Sequence, residues 1–219
     1  MKRILLISLL LLAVIFTVSA DRRRLLGARN VASAAGATAT DTFNRADSDP
    51  LSTTMSDGVS TWTSGPGSMV NCAIISNQLG ASTTPAGVSV NFPTFSANHI
   101  ATATLGADTQ SFGVMVRVAS SSDADGYMAY LTSATAITVY RVDDTGSIAF
   151  VALGANVTVS ALATGDTFGL GISGTTLTVY TNGVSTAQTR TDATYSTGQP
   201  GAYIGSSARA FNSWTASDL

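Results

Sequence analysis

Beyond residue 41 the chain alternates apolar and polar positions with period two. Phe112, Val114, Val116 and Val118 fall on one side of a run whose other side is Gly113, Met115 and Arg117, which predicts a strand buried on one face. Val88, Val90 and Phe92 form another such set. So do Tyr127, Ala129 and Leu131; Phe168, Leu170 and Ile172; and Leu177 with Val179. Turn residues separate the runs. Asn182-Gly183, between Thr176 to Thr181 and Val184 to Thr189, predicts a two-residue hairpin, because both residues tolerate the positive φ of a type I′ turn. Asp143-Asp144-Thr145-Gly146 and Ser173-Gly174-Thr175 serve the same purpose with less specificity. No window shows a helical period. About a dozen runs are too many for a seven-stranded immunoglobulin sandwich and suit two larger antiparallel sheets packed face to face. The predicted fold class is all-β, a two-sheet antiparallel jelly-roll sandwich.

Composition strengthens this reading. The 219 residues contain no glutamate, and Lys2 is the only lysine. Those are favoured surface helix formers, whereas the abundant Thr, Val and Ile suit a pleated sheet. Missing glutamate also removes the acid on which carbohydrate hydrolysis commonly relies. From 41 to 219 there are five arginines against twelve aspartates, a balance of −7, the wrong sign for a nucleic-acid partner. Cys72 is the single cysteine, so no internal disulfide forms and the domain relies on its core.

The first residues read differently. Met1-Lys2-Arg3, an apolar run from Ile4 to Phe16 and Val18-Ser19-Ala20 have the form of a secretory signal, followed at once by Arg22, Arg23 and Arg24, which oppose translocation. Residues 1–20 are therefore a signal peptide or signal anchor. They touch a membrane only through 4–20, and only if uncleaved. Residues 21–40, rich in Arg, Ala and Gly, read as a tether, and 41–219 as the domain. The expected location is secreted or on an extracellular surface.

Asp41-Thr-Phe-Asn-Arg45-Ala-Asp47, followed by Trp62, resembles the opening of concanavalin A-like (laminin G-like) jelly-roll domains of secreted bacterial and bacteriophage surface proteins. Gly165 to Gly183 resembles the paired strands of that family, and Gly198-Gln-Pro-Gly201 through Asn212-Ser213-Trp214 to Leu219 resembles its closing strand. The resemblance implies that the first and last strands are neighbours. It also implies a candidate structural calcium site at Asp41, Asp47 and Asp49, unless these carboxylates pair with Arg45. The family's closing strand often carries Asp-Asn-Phe where this chain has Asn212-Ser213-Trp214. Asp123-Ala-Asp125-Gly has the acid spacing of a calcium loop but lacks the glutamate an EF-hand requires.

Candidate ligand contacts come from the strand faces. If Phe112, Val114 and Val116 point inward, Arg117 points outward, as do Tyr130 opposite Leu131 and Tyr180 opposite Val179. Tyr140 joins them if its strand is turned the same way, and Trp62 either packs in the core or stacks on a sugar. Aromatic planes beside hydrogen-bond donors suit a glycan or polysaccharide, although tyrosine and threonine are good strand residues anywhere. His99 is the only histidine and no Gly-x-Ser-x-Gly elbow is present. The expectation is a non-enzymatic, lectin-like or adhesion module. The alternative is a structural, decoration or fibre subunit of a virion or surface layer, and more remotely a polysaccharide lyase or hydrolase. Sheet edges without lysine suit a homo-oligomer or a particle surface.

Overall fold

The computed structural model describes residues 36–219, apart from 66, 68, 120–122, 207 and 208. The apolar segment 4–20, and the expected tether as far as residue 35, lie outside the described residues. In chain order the strands are β1 (Thr38–Asp41), β2 (Thr61–Ser64), β3 (Val70–Asn71), β4 (Ala73–Ile75), β5 (Gln78–Gly80), β6 (Ala86–Phe92), β7 (His99–Leu105), β8 (Phe112–Val118), β9 (Gly126–Ser133), β10 (Ala136–Asp144), β11 (Ile148–Ala152), β12 (Val157–Thr158), β13 (Thr167–Ser173), β14 (Thr176–Thr181), β15 (Val184–Thr191), β16 (Gln199–Ile204) and β17 (Arg209–Asp218). There is no helix among the described residues.

One sheet has eight strands in the order β15-β14-β13-β7-β17-β5-β4, with β1 also on β17. The other has nine, β11-β10-β9-β8-β16-β6-β2, with β12 on β10 and β3 on β6. The β3–β6 pair is parallel. The expected all-β sandwich of two antiparallel sheets is what forms, and β1 lies beside β17 as the concanavalin A-like resemblance implies.

Alternation explains the core. On β7 His99, Ala101, Ala103 and Leu105 are buried while the threonines between them are half-buried. Phe112 of the nine-stranded sheet reaches across to Phe168 and Phe211 of the other, with ring centroids 6.3 and 5.1 Å away. The hairpin signal is also met, since Asn182 and Gly183 take φ values of 49° and 76° between β14 and β15.

Two expectations need correction. The tether does not extend to residue 40, because Thr38–Asp41 pair with Trp214–Ser217. The second half of β17 has no neighbour on that side from β5, which reaches only Arg209 and Phe211, so β1 completes the ladder. Val118 does not share a face with Phe112, Val114 and Val116. Between Met115↔Gly201 and Val118↔Gln199, two β8 residues oppose the single Pro200, a bulge that reverses the face of all that follows.

Candidate functional site

The outer face of the nine-stranded sheet carries a second apolar cluster. On β9, Tyr127, Ala129 and Leu131 enter the core, so Met128 and Tyr130 face out. On β10, Ile137 and Val139 are inward, leaving Tyr140 and Val142 outward. β16 sends Ala202 and Ile204 inward and Tyr203 outward. β11 pairs Phe150 with Val142, which puts Phe150 on the same face as Tyr140.

These four rings close a circuit. Centroid separations are 6.1 Å for Tyr130–Tyr140, 5.7 Å for Tyr140–Phe150, 5.5 Å for Phe150–Tyr203 and 6.0 Å for Tyr203–Tyr130. Neighbouring planes are tilted by 58° to 70°. Phe150 and Tyr203 rise from β11 and β16, with three strands between them in sheet order. At about 4.8 Å per strand their rings meet only if the face is concave. Gly113 lies directly opposite both Tyr130 and Tyr203. A Cβ there would sit 2.7 Å from the Ala129 carbonyl oxygen and 2.7 Å from Met128 Cγ, so the glycine leaves that space to Met128. Together the rings and Met128 line a recess of about 130 Å³. Phe150 is 40% exposed. Burial, and then the neighbouring Tyr130, push the Tyr203 phenol up to about 12, which keeps it neutral.

Of the expected ligand contacts, Tyr130 and Tyr140 are brought together here and the others are not. Arg117 is 3% exposed, with φ at 54° in the β8 bulge. Its guanidinium donates to the carbonyls of Ala97, Tyr195 and Gly174 at 2.7 to 2.9 Å. It ties loops together at one end of the sandwich. A separate recess of about 310 Å³ runs past it. Trp62 is 2% exposed, with Trp214 4.6 Å away; it is core. Tyr180 does face outward, but on the eight-stranded sheet. Its ring covers Gly171, where a Cβ would stand 3.0 Å from it, remote from the aromatic circuit.

The three carboxylates of the expected calcium site do not converge into one group, and each has protein partners. Asp41 is fully buried and accepts from both terminal nitrogens of Arg45, the Phe43 amide and Trp62 Nε1. Asp47 caps the Ser76 amide, and Asp49 accepts from Ser82 Oγ. No group of three or more His, Cys, Asp or Glu able to hold a metal occurs among the described residues. Asp123 and Asp125 lie in the connection between β8 and β9, accepting from the Asp125 and Asp144 amides respectively.

Two acidic side chains, Asp143 and Asp192, share Arg141. Arg141 contacts Asp143 at 2.8 Å and Asp192 at 3.5 Å. Tyr195 donates to Asp143 at 2.6 Å, and Tyr127 to Asp192 at 2.8 Å. The Arg141 bond holds the Asp143 carboxyl below the usual range. Burial lifts Asp192, but bonds from Thr194 and Tyr127 outweigh it and the net shift is again downward. Both carboxylates are ionised at neutral pH, which suits an ion-pair clamp and not a proton donor. His99, expected to be solvated, is buried between the Ser96 carbonyl and the Arg117 amide.

No family model matches this chain, and no curated protein matches it. Solved structures similar to it include the carbohydrate binding module CBM66 from Bacillus subtilis, at 14% identity and TM-score 0.48, covering 73% of this chain and 92% of that one. A prokaryotic β-1,3-1,4-glucanase (lichenase) derived from a mouse hindgut metagenome is 9% identical, with TM-score 0.48, covering 83% and 98%. The exoplasmic/lumenal domain of VIP36, in its Ca2+/Man2-bound form, is 13% identical with TM-score 0.46, covering 78% and 86%. At these identities and TM-scores the likeness assigns neither ligand nor activity to this chain.

Phe150, Tyr203 and Met128 were not among the residues expected at the site. Tyr203 had a signal, since Ala202 and Ile204 flank it as a core pair. Phe150 had a weaker one: a three-residue loop centred on Gly146 sets Val142 against Phe150. The run Ile148 to Ala152 has no polar residue, so alternation alone does not say which side faces out.

Proposed function

We propose that this chain is an exported, non-catalytic binding module that holds glycan on the concave face of its nine-stranded sheet. The observation that carries the reading is the ring circuit of Tyr130, Tyr140, Phe150 and Tyr203 around an open recess. Aromatic faces stack on the apolar face of a sugar, and phenolic hydroxyls bond to its hydroxyls. The contacts are therefore Tyr130, Tyr140, Phe150 and Tyr203; Arg117, Trp62 and Tyr180 play other parts. A non-catalytic role is supported by the carboxylates. None lines the recess, and the Asp143 and Asp192 carboxyls are held low where a glycosidase acid needs a raised pKa.

The test is a glycan array read with the parent chain and with Tyr140→Ala, Phe150→Ala and Tyr180→Ala. The first two changes are expected to weaken binding by about 1 to 3 kcal/mol each, and the third to leave it unchanged. Incubation with a polysaccharide panel is expected to release no reducing ends. Binding that survives both substitutions, or turnover of any polysaccharide, overturns the reading.

A further inference from the structure

The circuit has a property that sugar stacking does not use. Its neighbouring rings are tilted by 58° to 70° to one another and surround a recess that Met128 also lines. Sides of 5.5 to 6.1 Å place a centred atom about 4 Å from each centroid, inside the roughly 6 Å reach of a cation–π contact. We propose that this recess is a cage for a quaternary ammonium group. The proposal rests on the reading of the concave face as the ligand surface and names the chemistry it selects.

Three observations favour this occupant over others. The first is size, because the recess of about 130 Å³ is slightly smaller than the engineered cavity of about 150 Å³ that accepts benzene. A trimethylammonium head fits within it, whereas a hexose with its hydroxyls lies across the rims. The second is charge. Tyrosine, phenylalanine and methionine are the only lining residues, so no arginine competes for the ring faces, and the balance of −7 from 41 to 219 attracts cations at long range. The third is hydration. A primary ammonium is a compact, strongly hydrated charge that keeps three donors to satisfy, which walls made of ring faces serve poorly. A quaternary nitrogen has no N–H to satisfy and presents methyl groups to the rings. Free choline, a choline-substituted glycan and a phosphocholine lipid share this group.

The experiment titrates the full chain with choline, tetramethylammonium and 3,3-dimethylbutan-1-ol, the neutral carbon isostere of choline, and follows binding by calorimetry. The two cations are expected to bind at least about tenfold more tightly than the isostere. Phe150→Leu and Tyr140→Leu, which keep apolar bulk but remove the π face, are expected to weaken both cations severalfold, and Tyr180→Leu to change nothing. If either Leu variant fails to fold, the comparison of cation with isostere on the parent chain decides alone. Equal affinity for the isostere reduces the recess to an apolar pocket and overturns the proposal, as does failure of both cations to bind. Phosphocholine vesicles against phosphoglycerol vesicles, and choline-bearing against bare glycans, separate the sources. Bare glycan bound without any response to choline sinks the cage and leaves the glycan reading standing. Choline bound with no glycan bound does the reverse.

Discussion

Asp41 shows how one residue can determine the meaning of a motif. Its carboxylate is fully buried and binds Arg45 through both oxygens, at 2.5 and 2.8 Å, while also receiving Trp62 Nε1 at 2.8 Å. Trp62 in turn meets Trp214, whose Nε1 donates to the Gly201 carbonyl at 3.1 Å. The motif Asp41-x-Phe43-x-Arg45 is thus a clasp that joins the entrance of the domain to its closing strand. Asp41→Ala is expected to lower stability by roughly 3 to 5 kcal/mol, since it strands a partly buried guanidinium and a buried indole donor. Urea unfolding checks this. Addition of calcium or a chelator to the parent chain is expected to leave its melting temperature in place, and a rise with calcium would return these carboxylates to a metal role. The motif was legible in the sequence but its use was not. Arg45 is four residues from Asp41 and easily suspected as a partner, whereas the contact with Trp62 is made only by the fold.

At the scale of the strand, alternation was a sound guide wherever a strand stays regular. The inward sets of β9, β13 and β14 are as the sequence predicts, and Tyr130 faces out accordingly. It failed at β8, where the bulge at Arg117 turns an expected outward arginine into a buried tie between loops. Pro200, the residue opposite, was the available warning, because a proline inside a central strand marks a bulge or a missing ladder bond. The freed Arg117 amide donates to His99 Nε2 at 3.2 Å. Gly113, four residues earlier, shows a different dependence. Strand propensity alone favours a β-branched residue there, but Gly113→Val drives side-chain atoms into the Ala129 carbonyl and Met128. The expected loss is about 1 to 3 kcal/mol, accompanied by weaker ligand binding as the floor of the ring circuit is displaced. Thermal melts and the choline titration measure the two effects separately. A Val variant with parent stability and parent affinity would show that β8 and β9 separate more easily than their packing indicates.

For the whole molecule, His99 and three aspartates respond to acid in one direction. His99 meets the Ser96 carbonyl through Nδ1 at 2.7 Å and accepts the Arg117 amide at Nε2, so only the neutral Nδ1–H tautomer satisfies both contacts. Protonation sets N–H against N–H and adds charge beside Arg117. Burial and then Arg117 lower the imidazole pKa, against the upward pull of the Ser96 bond and Asp218. The unfolded chain therefore takes up this proton first, near pH 6.5. Stability from His99 is fully present above that value and falls as pH drops toward the folded pKa, by at most about 1.4 kcal/mol per pH unit for one proton. Asp143, Asp192 and Asp57 are also lowered in the fold, and they add a second decline of the same sign below about pH 4. Denaturant unfolding at pH 8, 7, 6, 5 and 4 is expected to show a plateau, a shallow fall beginning between 7 and 6, and a steeper one at the acid end. His99→Gln is expected to remove the first fall and keep the second. Identical midpoints at pH 8 and pH 5 in the parent chain would contradict the account. Ligand affinity follows a different course, because no carboxylate or imidazole is among the residues that line the recess. Between pH 8 and pH 6 it is expected to hold constant while stability has already begun to fall, which separates the sheet face that binds from the sandwich end that titrates.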